Sequence, residues 1–509
     1  MTCYYEYFPF LSKFVFLIIS KYQAMKTNLK LISALILTLI FSATAIAQNN
    51  STLRIVRGKT DTVFTPVHFV TGVAIPGSAI YINDLLVKQY STGSFGAELS
   101  LVEGDNEISV RSVKGTTEES VKFSVHFKIA VPLQRTKTDL YYPNRLVMTK
   151  KGAYLNYGAG EDRLGGAKIN FLAEGIKLEL LDSVNNLYKV KLSQNGYAYI
   201  PKQFTENVPF GTKPPFSLTS SWSVTNAGKA DRIRIALQER QPYIIYRESD
   251  PNRLMVEIHG AACNSNWITQ YLDLKAVDYV HYRQTAPDVF TAIIYLKDKY
   301  SWGYSVDYVG NSLDITIRHT PEPTLKGMVI GVDAGHGGSA TGAVSTSGLR
   351  EKDFNLAMTY MLKEELEKKG ARVVLSRSED VDVSMQERVD IFKKANVDLV
   401  ISVHCNAGGH PLREMGTSTY YRHIEYRPLA ENILKRLLEL NIKNFGLIGN
   451  FNFALNAPTE FPSVLVEALF MSSLPEEELL ASPKFQKDMM IKVVRGLEDY
   501  LSEVKKSLK

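Results

Sequence analysis

The sequence predicts a multidomain protein in which three small β modules precede a C-terminal α/β domain with a mostly parallel sheet flanked by helices. Three observations carry that reading. At 509 residues the chain has room for three or four domains of ordinary size. From Leu53 to about His319, short alternating runs are broken by turn residues and show strand periodicity only. Beyond Met328, apolar runs alternate with helical spacing, the pattern of a sheet covered on both faces.

Residues 1–47 read as an N-terminal extension and signal peptide. MKTNLKLISALILTLIFSATAIAQ, from Met25, has Lys26 and Lys30 near its start, an apolar run from Leu31 to Phe41 and the small-residue site Ala45-Ile46-Ala47. Cleavage there leaves Gln48 first. Met25 is then the expected start, and the stretch before it, with Cys3 and FVFLIIS, reflects a start assigned too early. The apolar run is short for a spanning helix, so a single membrane anchor is the weaker reading. The cleavage site carries no cysteine to mark a lipid anchor. The expectation is an exported protein, periplasmic or else extracellular, with no stable membrane insertion after cleavage.

Composition is that of globular material, 45% hydrophobic and 22% charged. The net charge of +6 is scattered, which gives no support to nucleic-acid binding and mildly suits an anionic polymer. Cys263 and Cys405 fall in different predicted domains and do not point to a disulfide, so stability is expected from the cores.

Residues 53–130 contain IPGSAIYIND, TGSFGAELSLVEGDNEISVRSV and ESVKFSVHFKIA, the short strands and turns of an immunoglobulin-like β-sandwich. Residues 131–205 resemble a bacterial SH3 domain, with a Gly-rich loop and then strands ending in YKVKL and GYAYI. The resemblance implies binding of cell-wall peptide; a spacer barrel without a ligand is the alternative. VPFGTKPPFS, with three prolines in ten residues, is a linker. Residues 217–320 are again strand-rich, in DRIRIALQ, YIIYRES, RLMVEIHGA, FTAIIYLK and LDITIRHT.

PEPTLKG opens a new composition, and residues 326–505 read as the α/β domain. MVIGVDAGH is a strand. FNLAMTYMLKEELEKKG has helical spacing, with Leu356, Tyr360 and Leu366 on related turns and Gly370 as its stop. ARVVLSR is a strand, and Ser384 with Glu387 form a capping box ahead of the helix QERVDIFKKA. Then come the strand DLVISVHCNA, the helix PLAENILKRLLEL, the strand PSVLVEALF and a closing helix from Pro483.

Sites in such sheets gather at the carboxyl ends of strands. His336, His404 and Glu467 are each read as lying just past a strand end, and Glu351 joins them from the helix start after His336. Zinc in a hydrolytic site takes three protein ligands, commonly two histidines and a carboxylate, and keeps a position open for water. His336, Glu351 and His404 supply that set, and Glu467 suits the second carboxylate that must take the water proton. Singly, each has a plainer account. A histidine in a Gly-rich turn is usually structural, and a glutamate in a first helical turn serves the helix dipole. Glu467 fits the plain account least, since VLVEALF surrounds it with apolar residues. Four such residues on one sheet edge are a poor coincidence.

GVDAGHGG, GLREKDFNLA, RSEDVDVSMQERVDIFKKANVDLVISVHCNA and FPSVLVEALFMSS resemble, in order, the signature blocks of the zinc-dependent N-acetylmuramoyl-L-alanine amidases of the third amidase family. The resemblance covers about residues 326–501. It implies a peptidoglycan hydrolase that cleaves the amide between N-acetylmuramic acid and the L-alanine of the stem peptide, with one Zn2+ per catalytic domain. Position by position, it makes His336, Glu351 and His404 the zinc ligands and Glu467 the catalytic acid/base. Residues 217–320 are faintly similar to the localisation domains of such amidases.

Two departures stand out. Ala334 stands where the family more often has proline, and NFALNAPTEFPSVLVE lacks an arginine that many members carry before the glutamate, which puts a substrate contact in doubt. His404 and Glu467 are 63 positions apart (467 − 404), without a long inhibitory insert, so the catalytic domain is expected to work without an activator. Two rivals stay open: a catalytically idle wall-binding or regulatory protein, and a zinc peptidase acting on the stem peptide. His410 and His423 are expected at the surface.

Overall fold

The computed structural model describes residues 52–128, 145–160 and 164–508; the signal-peptide segment and Cys3 lie outside the described residues. Among them, no helix is long and apolar enough to cross a membrane.

Between Arg54 and Phe127, a three-stranded and a five-stranded sheet enclose Val70, Ile80, Phe95, Ile108, Val110 and Val125. Strands from Leu146 to Asn207 form one seven-stranded antiparallel sheet. Strands from Ser217 to Arg318 form a six-stranded and a four-stranded sheet. The Pro-rich connection between these last two regions does not hold them apart. Val147, Val190 and Ile200 on one side, and Trp222, Phe290 and Ile315 on the other, belong to one continuous buried core.

The C-terminal region consists of β1 (Val329–Ala334), α1 (Glu351–Lys368), β2 (Arg372–Leu375), α2 (Met385–Lys394), β3 (Leu399–Asn406), β4 (Thr417–Tyr420), α3 (Arg427–Leu437), β5 (Asn444–Ile448), β6 (Ser463–Phe470), α4 (Leu474–Leu480) and α5 (Pro483–Ser507). The sheet order is β2-β1-β3-β6-β4-β5. The first four strands are mutually parallel; β4 runs antiparallel to β6, and β5 parallel to β4. The sequence reading passed over β4, β5 and α4, which are four, five and seven residues long.

Strand alternation sorts the faces. Leu399, Ile401 and Val403 of β3 pack with residues of α1, α3 and α5, including Leu362, Ile433 and Val493. Val400 faces the other way, onto Phe392 of α2, and the pleat places Ser402 and His404 on that side. The buried stripe of α1 differs from the sequence reading: it is Met358, Leu362 and Leu366, all 0% exposed. These recur every four residues, whereas Tyr360 falls on the opposite face and is 44% exposed. Burying each of the three contributes roughly 1.5–3 kcal/mol. Gly370, at φ +84°, follows the helix in the left-handed conformation that glycine tolerates. Both bonds of the Ser384–Glu387 capping box are formed.

The region preceding β1 is docked on this domain. Arg318 donates from Nη1 to the carbonyls of Val397 at 2.9 Å and Glu460 at 3.0 Å, and Trp302 stacks on Tyr500 of α5.

Candidate metal centre and hydrolytic site

His336 lies two residues beyond β1, at φ +60°. That conformation is costly for a side chain with a Cβ and persists only where surroundings enforce it. Two glycines next to it have no room for a side chain. A Cβ at Gly335 would lie 2.3 Å from Cε1 and Nε2 of His404, and one at Gly342 would lie 2.5 Å from Oε2 of Glu351.

The sequence reading put His404 and Glu467 past their strand ends. They stand inside β3 and β6 instead, as direct register partners in a parallel ladder. Register partners share a face. Both side chains therefore project on the α2 side, where His336 reaches them from the loop after β1 and Glu351 from the first turn of α1.

A buried arginine pair holds the turn behind His336. Arg388 of α2 is 1% exposed and meets Asp333, 0% exposed, at 2.6 Å. It also donates to the carbonyls of Ala334 at 2.6 Å and His336 at 2.7 Å. Ser402 donates to the other oxygen of Asp333 at 2.6 Å. Arg377 donates to the carbonyls of Ala334 and Gly335, and through Nη2 to that of Lys352. Asp333, Arg377, Arg388 and Ser402 were not singled out from sequence; a carboxylate closing the apolar run MVIGVD is the signal that could have found Asp333.

At the centre, Glu351 is 4% exposed. Its Oε2 lies 3.2 Å from Nε2 of His336, and its Oε1 lies 3.0 Å from Nδ1 of His404. Asn355 and the amide of Cys405 donate to Oε1, at 3.2 and 3.1 Å, and the amide of Ala343 donates to Oε2 at 2.8 Å. Burial opposes ionisation of Glu351, but its bonds with His336 and His404 outweigh it and hold the carboxyl well below its usual range. Burial likewise opposes protonation of His404, and the carboxylates of Glu351, Glu467 and Asp333 overcome it, leaving its pKa raised. The pocket is thus electronegative. Cys405 offers no thiolate there: burial, then Glu351 and Glu467, push its pKa well up.

The donor set fits a divalent metal. One ligand atom each from His336, Glu351 and His404 lies within 4.8 Å of the others. The two imidazoles meet opposite oxygens of the one carboxylate, so all three groups already face a common point, and two neutral imidazoles with a carboxylate are a donor set that suits zinc. Asn355 and the Cys405 amide fix the carboxylate orientation, the role outer partners serve at metal sites.

His410 and His423, expected at the surface, are half-buried; His410 bonds to Glu98 at 3.1 Å, and His423 to the carbonyl of Ala457 at 3.0 Å.

The sequence model of the N-acetylmuramoyl-L-alanine amidase family, the third amidase family, matches residues 330–499. The uncharacterized protein YqiI of Bacillus subtilis (strain 168) is 33% identical over 184 residues, covering 35% of this chain and 87% of that protein. N-acetylmuramoyl-L-alanine amidase AmiC of Neisseria meningitidis serogroup B (strain ATCC BAA-335 / MC58) is 25% identical over 345 residues, covering 50% of this chain and 82% of that one. Among solved structures, N-acetylmuramoyl-L-alanine amidase AmiC2 of Nostoc punctiforme is 32% identical, with a TM-score of 0.33, covering 34% of this chain and 97% of that chain. Through this C-terminal region, the chain belongs to the third family of N-acetylmuramoyl-L-alanine amidases.

Proposed function

We propose that the protein hydrolyses the amide between N-acetylmuramic acid and the L-alanine of peptidoglycan stem peptides, with Zn2+ held by His336, Glu351 and His404 and with Glu467 as acid/base. The observation that carries this is the convergence of two imidazoles and a carboxylate within 4.8 Å, beside a second carboxylate register-paired with His404.

Held by His336, Glu351 and His404, a zinc ion would supply a water of lowered pKa, toward about 7, and polarisation of the scissile carbonyl. Glu467 accepts the proton that the attacking water gives up. It then delivers that proton to the L-alanine nitrogen as the carbon–nitrogen bond breaks. Glu467 is itself 7% exposed on β6, with Val466 and Ala468 on either side turned into the core of the opposite face. Glu351 stays ionised and oriented by three donors, and Arg388 keeps His336 in its unfavourable conformation.

We also assign residues 53–130 to an immunoglobulin-like module, 131–205 to an SH3-like module, 217–320 to a localisation-type module and 326–505 to catalysis. The observed sheets support this division. Residues 1–47 then direct export, to the periplasm in preference to full secretion, and peptidoglycan is the partner.

Glu467→Gln tests the central role. The variant should bind zinc as the parent does while turnover falls about 10²-fold or more. Near-normal turnover rejects Glu467 as the acid/base.

A further inference from the structure

The segment Ala407–Gly416 leaves β3 three residues beyond His404, and two sets of contacts grip it. On its inner side it is tied to the stretch that follows Glu467. The Leu474 amide donates to the Pro411 carbonyl at 2.8 Å, and the Ser472 and Ser473 hydroxyls donate to Gly408 and Arg413 carbonyls at 2.6 and 2.9 Å. Glu476 accepts from the amides of Met415 and Gly416 at 2.7 and 2.6 Å.

Its outer side is held by the N-terminal sandwich, some three hundred residues away in sequence. Nδ1 of His410 accepts from the Leu412 amide at 3.2 Å, which leaves the ring hydrogen on Nε2 to donate to Glu98 at 3.1 Å. Phe69 packs edge-on against the same ring, with centroids 4.8 Å apart. Leu412 sits over Gly96, where a Cβ would lie 2.9 Å from Cδ2 of the leucine.

Three consecutive glutamates of α4 join these contacts. Glu476 holds Gly416, and Glu477 accepts from the amide of Ser347 at 2.9 Å, in the loop linking His336 to Glu351. Glu478 accepts from the amide of Ser91 in the sandwich at 2.8 Å. Both loops leaving the metal centre are therefore set by one short helix that also bears the sandwich.

We propose that the sandwich is a positioning element of the hydrolytic site: acting through His410, it holds Ala407–Gly416 as a preformed wall of the substrate cleft. Gly408 and Gly409 both take positive φ, +98° and +66°, so this segment has wide backbone freedom in isolation. Order imposed before substrate arrives does not have to be supplied by substrate binding. The catalytic domain alone would then bind substrate less tightly than the full chain while still working without an activator. The kinetic part of this proposal rests on the amidase reading; the positioning part does not.

The test uses the full chain loaded with zinc. Glu98→Lys reverses the charge facing His410, Gly96→Leu wedges the sandwich away from Leu412 without altering a residue of the catalytic domain, and Glu98→Lys/His410→Glu restores an opposite pair. Amide hydrogen exchange of residues 407–416 and the kinetics of a soluble muropeptide are measured. Each single variant should speed exchange about tenfold and raise KM about five- to tenfold with kcat within twofold, and the charge swap should recover both. Unchanged exchange in both single variants, exchange that rises while KM stays fixed, or a swap that restores neither would overturn the proposal. If no preparation cleaves the muropeptide, the amidase reading fails, and the exchange measurement still decides whether the sandwich positions the segment.

Discussion

Replacing Arg388 with leucine strips Asp333 of its partner and removes donors from two carbonyls of the turn that carries His336. The pair is 1% and 0% exposed, at 2.6 Å. Removing one member of such a pair leaves a buried charge uncompensated, a loss of about 3–5 kcal/mol. The bond from Arg388 to the His336 carbonyl, 2.7 Å long, also restrains a conformation whose strain is on the order of 1–3 kcal/mol. Freed of it, His336 relaxes away from Glu351, and zinc affinity should fall about 10- to 100-fold, the usual effect of losing an outer partner. Denaturant unfolding reports the first effect, and chelator competition for zinc on the folded protein reports the second. In Asp333→Asn/Arg388→Leu, part of the stability should return because the buried charge is gone. Zinc affinity should not, because the His336 carbonyl still lacks its donor. A leucine variant that loses stability but binds zinc within twofold of the parent would refute the link between this pair and the metal centre.

Two further outcomes follow from packing and burial. Gly335→Ala places a methyl 2.3 Å from the His404 ring, so the ring must rotate away; zinc retained after dialysis should fall about tenfold or more, and full retention would contradict the geometry. His259 is 6% exposed, neither ring nitrogen is hydrogen-bonded, and burial lowers its pKa from 6.5 to about 4. As pH falls, the unfolded chain takes up this proton first, so stability present above about 6.5 is lost between there and about 4. The difference of 2.5 units corresponds to about 3 kcal/mol. Unfolding of wild type against His259→Phe over that range should diverge by this amount, and parallel curves would remove His259 as the cause.

The strand and helix succession of residues 326–505 was legible because each long element carries its own periodicity, and because apolar strands are unmistakable beside Gly-rich turns. His336, His404 and Glu467 were legible as polar residues at the ends of apolar runs, and Glu351 as the acid at the helix start that follows His336. What stayed hidden depended on partners distant in sequence. Arg388 reads locally as an exposed charge on a polar helix, and only the fold turns it toward Asp333. His410 reads as a loop residue because its partner, Glu98, belongs to another module. The stripe of α1 was misplaced because Tyr360 is apolar enough to join the pattern, yet its hydroxyl reaches the Ser378 carbonyl from the exposed face. The strands β4 and β5, four and five residues long, are too short to show a period and are held by pairing to β6 and to each other.

The central claim is that a zinc-dependent centre at His336, Glu351 and His404 cuts the lactyl amide. Mass spectrometry of purified sacculi digested by the full chain, with and without a chelator, tests it most directly. Peptide-free glycan with lactyl ends and peptides beginning at L-alanine are expected, lost with the chelator and restored by Zn2+. Cleavage within the stem peptide with the lactyl amide intact, or product formation indifferent to the chelator, would contradict it.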